Sequence, residues 1–167
     1  MDPLLPPLDR LEHGQLVEMF GQLRAELIRR GMTGNLTGEI GELLAVEFFN
    51  KTPGLTTLSK APAGATNFDA VGKDGKRYTI KTVTGTTTSA FWGLPAPGSE
   101  MVPEKVFDFV LLVKLNDAMQ LERFGELSWE SFLRVKRWNK RMRAWQLNVG
   151  KRTWDACRIL FPTEPLS

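Results

Sequence analysis

The side chains best suited to chemistry lie in residues 68–84, where an acid and a lysine fall on two predicted neighbouring strands. An Asp-Gly pair at residues 74–75, between two runs of alternating residues, is typical of a tight hairpin. Asp69 lies on the first strand and Lys81 on the second. Carboxylate oxygens are the ligands that hard cations prefer, and a lysine stabilises charge on phosphoryl oxygens. The pair favours chemistry on a phosphate, and a charge pair on a solvated strand face is the simpler alternative.

The hydrophobic pattern predicts the register of this hairpin. A three-residue loop over residues 73–75, with its glycine in the left-handed conformation, pairs Ala70 with Tyr78. One face then carries the apolar residues Phe68, Ala70, Tyr78 and Ile80. The other face carries Asp69, Thr79 and Lys81. A two-residue loop mixes polar and apolar side chains on both faces, so the alternation favours the three-residue loop.

Two glutamates precede the hairpin on a predicted helix over residues 36–49. Glu39 and Glu42 are three residues apart and therefore share one helix face. Gly38 and Gly41 leave room on that side for a close backbone approach. Two glutamates on a solvated helix face are ordinary, but their place directly before the hairpin makes them candidate partners of its acid and lysine.

Periodicity and chain-breaking residues predict the other elements. A first helix is expected over residues 8–30, and a short strand over residues 55–59. Residues 85–105 read as a long loop beside the site. The chain is then expected to form a buried central strand at 106–115, a hairpin partner at 118–127, a helix capped by Ser128, a weak strand at 142–149, and a helix or strand at 151–160.

The order of these motifs resembles the PD-(D/E)xK superfamily of restriction-endonuclease-like nucleases. Within it, the chain is most similar to a small family marked by a GExGE helix, a DA…DGK-Y-x-I-K hairpin and a following F-D strand. The motifs here read GEIGE at residues 38–42, FDA at 68–70, DGKRYTIK at 74–81 and FDF at 107–109, and the resemblance covers residues 33–135. It implies an α/β fold with a restriction-endonuclease-like core, in which helices flank a mixed central sheet.

The resemblance also implies an activity, which is endonucleolytic hydrolysis of phosphodiester bonds in DNA, of the restriction or defence type. Asp69 would be the central metal ligand, and Glu42, or alternatively Glu39, would be the helix acid that contacts the metal or a water. Lys81 would orient the attacking water and stabilise charge on the phosphate. The implied cofactor is Mg²⁺, with Mn²⁺ as a substitute.

The sequence departs from the superfamily at Thr79, where Glu, Asp or Gln is usual. A threonine hydroxyl is a poorer Mg²⁺ ligand than a carboxylate. Three explanations stay open at this stage. A displaced acid such as Glu39 or Asp74 serves the site, or the chain has lost catalysis and kept nucleic-acid or protein binding, or the hairpin only looks like the nuclease motif.

Charge is distributed unevenly along the chain. Residues 128–154 hold eight Lys or Arg and one acid, a net +7, so the rest carries −4 of the total +3. This asymmetry predicts a polyanion partner, and the resemblance implies that this partner is double-stranded DNA. The predicted phosphate contacts are Arg134, Lys136, Arg137, Lys140, Arg141, Arg143, Lys151 and Arg152. Three tryptophans interleave with these cations and either stack on unpaired bases or belong to the core.

Composition sets the remaining expectations. A length of 167 residues predicts one domain, with an irregular arm over residues 1–8 and a basic, Trp-rich extension over residues 128–167. The single cysteine rules out an internal disulfide and fits a reducing, cytoplasmic location. No apolar run approaches about 18 residues, so no membrane partner is expected. A homodimer or a protein partner stays an open alternative.

Overall fold

The computed structural model describes residues 7–162. The helices are α1 (His13–Arg29), α2 (Leu36–Lys51), α3 (Trp129–Val135) and α4 (Lys151–Asp155). The strands are β1 (Leu58–Lys60), β2 (Ala70–Gly72), β3 (Arg77–Val83), β4 (Phe109–Leu115), β5 (Leu121–Ser128), β6 (Arg137–Asn139), β7 (Ala144–Gln146) and β8 (Arg158–Phe161).

Six of these strands form a mixed sheet in the order β1-β2-β3-β4-β5-β8. Strands β3 and β4 run parallel, whereas the other neighbouring pairs in this sheet are antiparallel. Strands β6 and β7 form a separate antiparallel pair. The predicted α/β class with a mixed sheet is therefore confirmed.

The chain divides into two compact units, residues 1–36 and residues 37–167. In the first unit, a short 3-10 turn (Leu8–Arg10) precedes α1, so the predicted helix over residues 8–30 is two elements. A capping box explains where α1 begins, because the Glu12 backbone N–H donates to Gln15 Oε1 at 3.0 Å. Residues 1–6 of the predicted irregular arm lie outside the described residues.

The sheet of the second unit is covered by helices on both faces. Strand β4 has alternate residues on opposite sides, as expected for a central strand. On one side, Leu111 and Val113 pack in a cluster that includes Phe49 of α2. On the other side, Val110 packs in a cluster that includes Phe132 of α3. The prediction of a strand buried on both faces is confirmed, with its start at Phe109.

The predicted hairpin register is confirmed by the pairing of Ala70 with Tyr78 and by a three-residue loop in which Gly75 has φ 79°. One detail of the prediction is wrong. Phe68 does not share a face with Ala70 but packs in the opposite cluster, with the α3 side. The reason is that Tyr78, the partner of Ala70, also accepts the Asp69 backbone N–H at 2.8 Å, so two residues face one and the regular alternation stops at Ala70.

Residues 84–108 connect the parallel strands β3 and β4, which a tight turn cannot join. Most of this crossover segment has no regular structure, in agreement with the predicted long loop. It is nevertheless attached to the rest of the unit by two isolated bridges, from Thr87 to Asn148 and from Phe91 to Trp145. The crossover segment is thus fixed beside β7 in its middle part.

The C-terminal region adds both to the core and to the main sheet. Ser128 caps α3 by accepting the Ser131 backbone N–H at 3.2 Å, as the sequence predicts. Residues 151–160, left open between helix and strand, form α4 and then most of the edge strand β8. Strand β6 was not predicted from the sequence. It pairs with β7, so that Trp138 lies opposite Trp145 with ring centroids 5.2 Å apart.

Candidate active site and basic groove

The close contact between α2 and β3 positions the helix-borne acid. Gly41 is buried on α2, and a β-carbon at this position would overlap the side chain of Thr82 on β3. Only a glycine allows the helix to lie this close to the strand. The next residue, Glu42, is half-buried and lines a cavity of about 280 Å³ together with Asp69 and Lys60.

Asp69 lies at the point where the regular pairing of β2 with β3 ends, and its carboxylate accepts two donors from β3. Its Oδ2 atom accepts the Ile80 backbone N–H at 2.6 Å and the Thr79 hydroxyl at 3.1 Å. Asp69 also lines a second cavity of about 70 Å³, which it shares with Lys81. The carboxylate therefore lies between the helix acid on one side and the lysine on the other.

Lys81 is half-buried, and its Nζ atom donates to the Ala90 carbonyl at 3.0 Å. The same atom lies 4.8 Å from the centroid of the Phe91 ring. Burial lowers the pKa of Lys81, while the charges of Asp69 and Glu42 act to raise it. The crossover segment thus holds the lysine in place without a direct ion pair to either acid.

The electrostatics of Glu42 show that the three predicted catalytic residues share one environment. Burial is the main reason that the pKa of Glu42 is raised, and the nearby charge of Asp69 raises it further. Lys60 and Lys81 act in the opposite direction. Glu42, Asp69 and Lys81 are therefore brought together, as the sequence predicts.

The two alternative acids occupy different positions. Glu39 is half-buried in the first turn of α2, and its charge raises the pKa of Glu42, but it does not line the cavity between Glu42 and Asp69. Asp74 lies in the exposed hairpin loop, at the other end of β2 from Asp69, and accepts the Lys76 backbone N–H at 3.1 Å. Asp74 is a turn-forming residue, so the displaced acid cannot be Asp74.

The donor set can be compared with what Mg²⁺ requires. Within residues 7–162, no three or more acidic, histidine or cysteine side chains cluster as a metal site. Mg²⁺ is commonly bound by only one or two carboxylates and keeps several waters. Glu42 and Asp69 face one cavity and fit this requirement. Thr79, which is 4% exposed, donates to Asp69 and so holds the carboxylate rather than replacing the absent acid.

Three of the eight predicted phosphate-binding cations lie together. Arg137, Lys140 and Arg141 line an open cavity of about 460 Å³ at the β6–β7 hairpin, which we call the basic groove. Its remaining lining residues are polar or aromatic: Thr87, Trp138, Asn139, Gln146 and Asn148. Cations beside polar side chains are the combination that contacts phosphate oxygens.

Arg143 and Lys136 flank the basic groove without lining it. Arg143 is exposed in the turn between β6 and β7 and has φ 51°, in the left-handed region. The Lys136 ammonium lies over the Trp145 ring, 3.0 Å from its centroid, and burial lowers the pKa of Lys136. Lys136 therefore makes a cation–π contact within the protein, which makes it a poorer candidate for a phosphate contact.

The last three predicted cations make contacts of their own. Lys151 pairs with Asp155 at 2.6 Å on the exposed surface of α4. Arg152 donates to the Arg134 carbonyl at 2.8 Å, and Arg134 donates to the Ser131 hydroxyl at 2.8 Å. The eight cations therefore do not form one continuous patch, and the hairpin group is the best candidate for phosphate contacts.

The tryptophans of the basic segment are mostly structural. Trp154 is 8% exposed and belongs to the core. Trp145 is half-buried, and its indole N–H donates to the Pro95 carbonyl at 2.8 Å. Trp138 is half-buried against Trp145 and lines the basic groove. The core interpretation is thus confirmed for Trp154.

Two residues at the site were missed by the sequence reasoning. Lys60 ends β1 and lines the cavity between Glu42 and Asp69, and its only signal was a basic residue at the end of a short strand. Trp92 is 63% exposed and lines the cavity that contains Lys81. An aromatic residue inside a loop rich in Gly and Pro was the available signal for Trp92.

The crossover segment connects the candidate site with the basic groove. Ala90 accepts a hydrogen bond from Lys81, and the next residue, Phe91, donates its backbone N–H to the Trp145 carbonyl at 2.8 Å. Thr88 accepts the Leu147 backbone N–H through its hydroxyl at 3.0 Å. The lysine and the hairpin are therefore attached to the same short stretch of chain.

Neither the protein-family models nor the curated proteins compared with this sequence gave a match. Among the helices of residues 7–162, none combines the length and the apolar character needed to cross a lipid bilayer.

Proposed function

We propose that this protein is a Mg²⁺-dependent endonuclease with a restriction-endonuclease-like core that hydrolyses phosphodiester bonds in DNA. The observation that carries the proposal is the convergence of Glu42 from α2, Asp69 from the position directly before β2, and Lys81 from β3. These are the residues to which the sequence resemblance assigns the metal-binding and phosphate-binding roles. The groove of cations on the neighbouring hairpin adds a surface suited to a polyanion.

Each residue has a role that follows from its contacts. Glu42 and Asp69 would hold the cation, which when bound polarises a phosphoryl oxygen and lowers the pKa of a bound water. The Ile80 N–H and the Thr79 hydroxyl fix the orientation of the Asp69 carboxylate. An ammonium group has three N–H donors, so Lys81 keeps donors for a phosphate oxygen while one is committed to Ala90.

The basic groove would position the substrate rather than act on it. Arg137, Lys140 and Arg141 offer salt-dependent contacts to backbone phosphates. Because the crossover segment contacts both Lys81 and β7, a strand bound in the groove has a fixed spatial relation to the acid and lysine site. Positioning of this kind contributes to catalysis by orienting the phosphate before reaction.

A supercoiled-plasmid nicking assay tests the proposal, with Mg²⁺ and with Mn²⁺, which tolerates a poorer ligand set. We expect Lys81→Ala and Asp69→Ala each to reduce nicking to below about 1% of the wild-type rate. Lys51→Ala is the matched control, since Lys51 is exposed on α2 and pairs with Glu47. Nicking that survives in both site variants would contradict the proposal.

A second candidate is a non-catalytic nucleic-acid-binding protein on the same scaffold. The observation that favours it is Thr79, which is buried in the place of an acid and hydrogen-bonded to Asp69. This alternative predicts salt-sensitive DNA binding that does not require a metal. Such binding, together with the absence of nicking in either metal, would favour it over the nuclease.

A further inference from the structure

Trp92 differs from the other four tryptophans in its exposure. Its side chain is 63% exposed, whereas Trp129 and Trp154 are 6% and 8% exposed and the remaining two are half-buried. Tryptophan contributes a large apolar surface and is highly buried on average. An indole left in solvent beside a charged cavity therefore requires an explanation.

The backbone on both sides of Trp92 is held in place. Phe91 is 3% exposed in the core and is bonded to β7 through its backbone N–H. Gly93 has φ 75°, a conformation that favours glycine, and a β-carbon there would lie 3.1 Å from Asn67 Oδ1. The exposed indole is thus carried by an anchored stretch of chain and not by a free loop tip.

The position of Trp92 relative to the acid and lysine site suggests what it contacts. Trp92 lines the same cavity of about 70 Å³ as Asp69 and Lys81. A cavity of about 150 Å³ is known to hold a ring the size of benzene, so this one cannot enclose a nucleobase. A base must remain at the mouth of the cavity, against the indole. Asn67 also lines the cavity and offers both a donor and an acceptor to a base edge.

We propose that Trp92 forms a stacking subsite for an unpaired nucleobase next to the phosphodiester that Lys81 contacts. The protein then binds single-stranded or frayed nucleic acid in preference to a closed duplex, because only an unpaired base offers a free face to the indole. This inference deepens the proposed function and rests on it for placing nucleic acid at Asp69 and Lys81.

Binding of labelled oligonucleotides in the presence of a chelator tests the stacking subsite without cleavage. Three probes of the same sequence are compared: single-stranded DNA that carries one 2-aminopurine, its duplex, and single-stranded RNA. We expect Trp92→Ala to weaken single-strand binding roughly tenfold or more, to change duplex binding by less than about twofold, and to abolish 2-aminopurine quenching. Trp92→Phe should keep most of the affinity, since phenylalanine also stacks.

The control variant is Phe20→Ala, because Phe20 on α1 is an aromatic side chain of matching exposure, 62%. Equal loss of affinity for DNA and RNA on Trp92→Ala supports stacking, since both polymers carry the same base faces. Wild-type affinity of Trp92→Ala for the single strand, or an equal loss for single strand and duplex, overturns the inference.

The nicking assay separates this inference from the proposed function. A protein that fails to nick plasmid but binds single strands through Trp92 loses the nuclease assignment and keeps the stacking subsite. A protein that nicks in a Lys81-dependent manner, with single-strand binding that is insensitive to Trp92→Ala, keeps the nuclease assignment and loses the subsite.

Discussion

Gly41 of α2 lies against Thr82 of β3 more closely than any residue with a β-carbon could. The contact brings Glu42, the next residue along the helix, over the end of β2, where it shares a cavity with Asp69. Two acids that are 27 positions apart in the chain are thereby brought close together. Burial raises the pKa of Glu42, and the negative charge of Asp69 raises it further. The site depends on this helix–strand distance as much as on the acids.

Substitution of Gly41 by alanine should destabilise the protein by about 2 kcal/mol, because the added methyl group forces α2 away from β3. Urea unfolding followed by tryptophan fluorescence measures the free energy, since all five tryptophans lie in residues 37–167. Gly85→Ala, in the same unit as the tryptophans, is the control and should not lower stability, because a β-carbon there meets open space. Unchanged stability of Gly41→Ala would show that the contact is not tight.

Replacement of Thr79 by glutamate tests whether the position can regain a metal ligand. The new carboxylate would be buried beside Asp69, so we expect a loss of at least about 2 kcal/mol without metal. Mn²⁺ should restore part of that stability, because a cation that binds only the folded state stabilises it. Thermal unfolding with and without Mn²⁺ measures both effects. Mn²⁺ should stabilise the neutral control Thr79→Gln less than Thr79→Glu. Equal stabilisation of the wild type and Thr79→Glu by Mn²⁺ would count against a metal at this site.

The contacts of the eight cations predict which of them bind phosphate. Lys140→Ala with Arg141→Ala removes two groove cations, and we expect the slope of log affinity against log salt to fall by about 2. Lys151→Ala with Arg152→Ala is a control of identical composition in cations that contact Asp155 and the Arg134 carbonyl. Its salt slope should change less. An equal change of the salt slope in the two double variants would show that the DNA-binding surface is not confined to the basic groove.

We expect the thiol of Cys157 to lower the stability of the protein at alkaline pH. Burial raises the pKa of the thiol from 9.0 to about 12, although Arg123 acts in the opposite direction. Because the pKa is higher in the folded state, the stability that the protonated thiol contributes is fully present below about pH 9. It is lost as the pH rises toward 12, at up to about 1.4 kcal/mol per pH unit. Urea unfolding of wild type and Cys157→Ala between about pH 8 and pH 11 isolates it. Parallel pH profiles for the two proteins would refute the prediction.

Local patterns in the sequence were sufficient for several features of the fold. Alternation around Ala70 and Tyr78 predicted the hairpin register, because a slip of one residue would bury polar side chains. The apolar run ending at Leu115 predicted a strand buried on both faces. Ser128 was recognised as a helix cap since its hydroxyl satisfies a backbone N–H three residues away. Each of these signals acts over a few neighbouring residues.

Other features depend on contacts between residues far apart in the chain, and only the tertiary structure decided them. Asp69 and Ala70 both face Tyr78, and this irregular pairing places Phe68 on the opposite face, which alternation alone does not reveal. Pairing of the crossover segment with β7 fixes Ala90, and through it Lys81, beside the exposed indole of Trp92. The sequence by itself predicted that Glu42 lies on a helix and Lys81 on a strand, whereas Asp69 comes directly before β2 and not within it. Their distances were decided by packing, because close approach of helix to strand depends on volumes contributed by both elements at once.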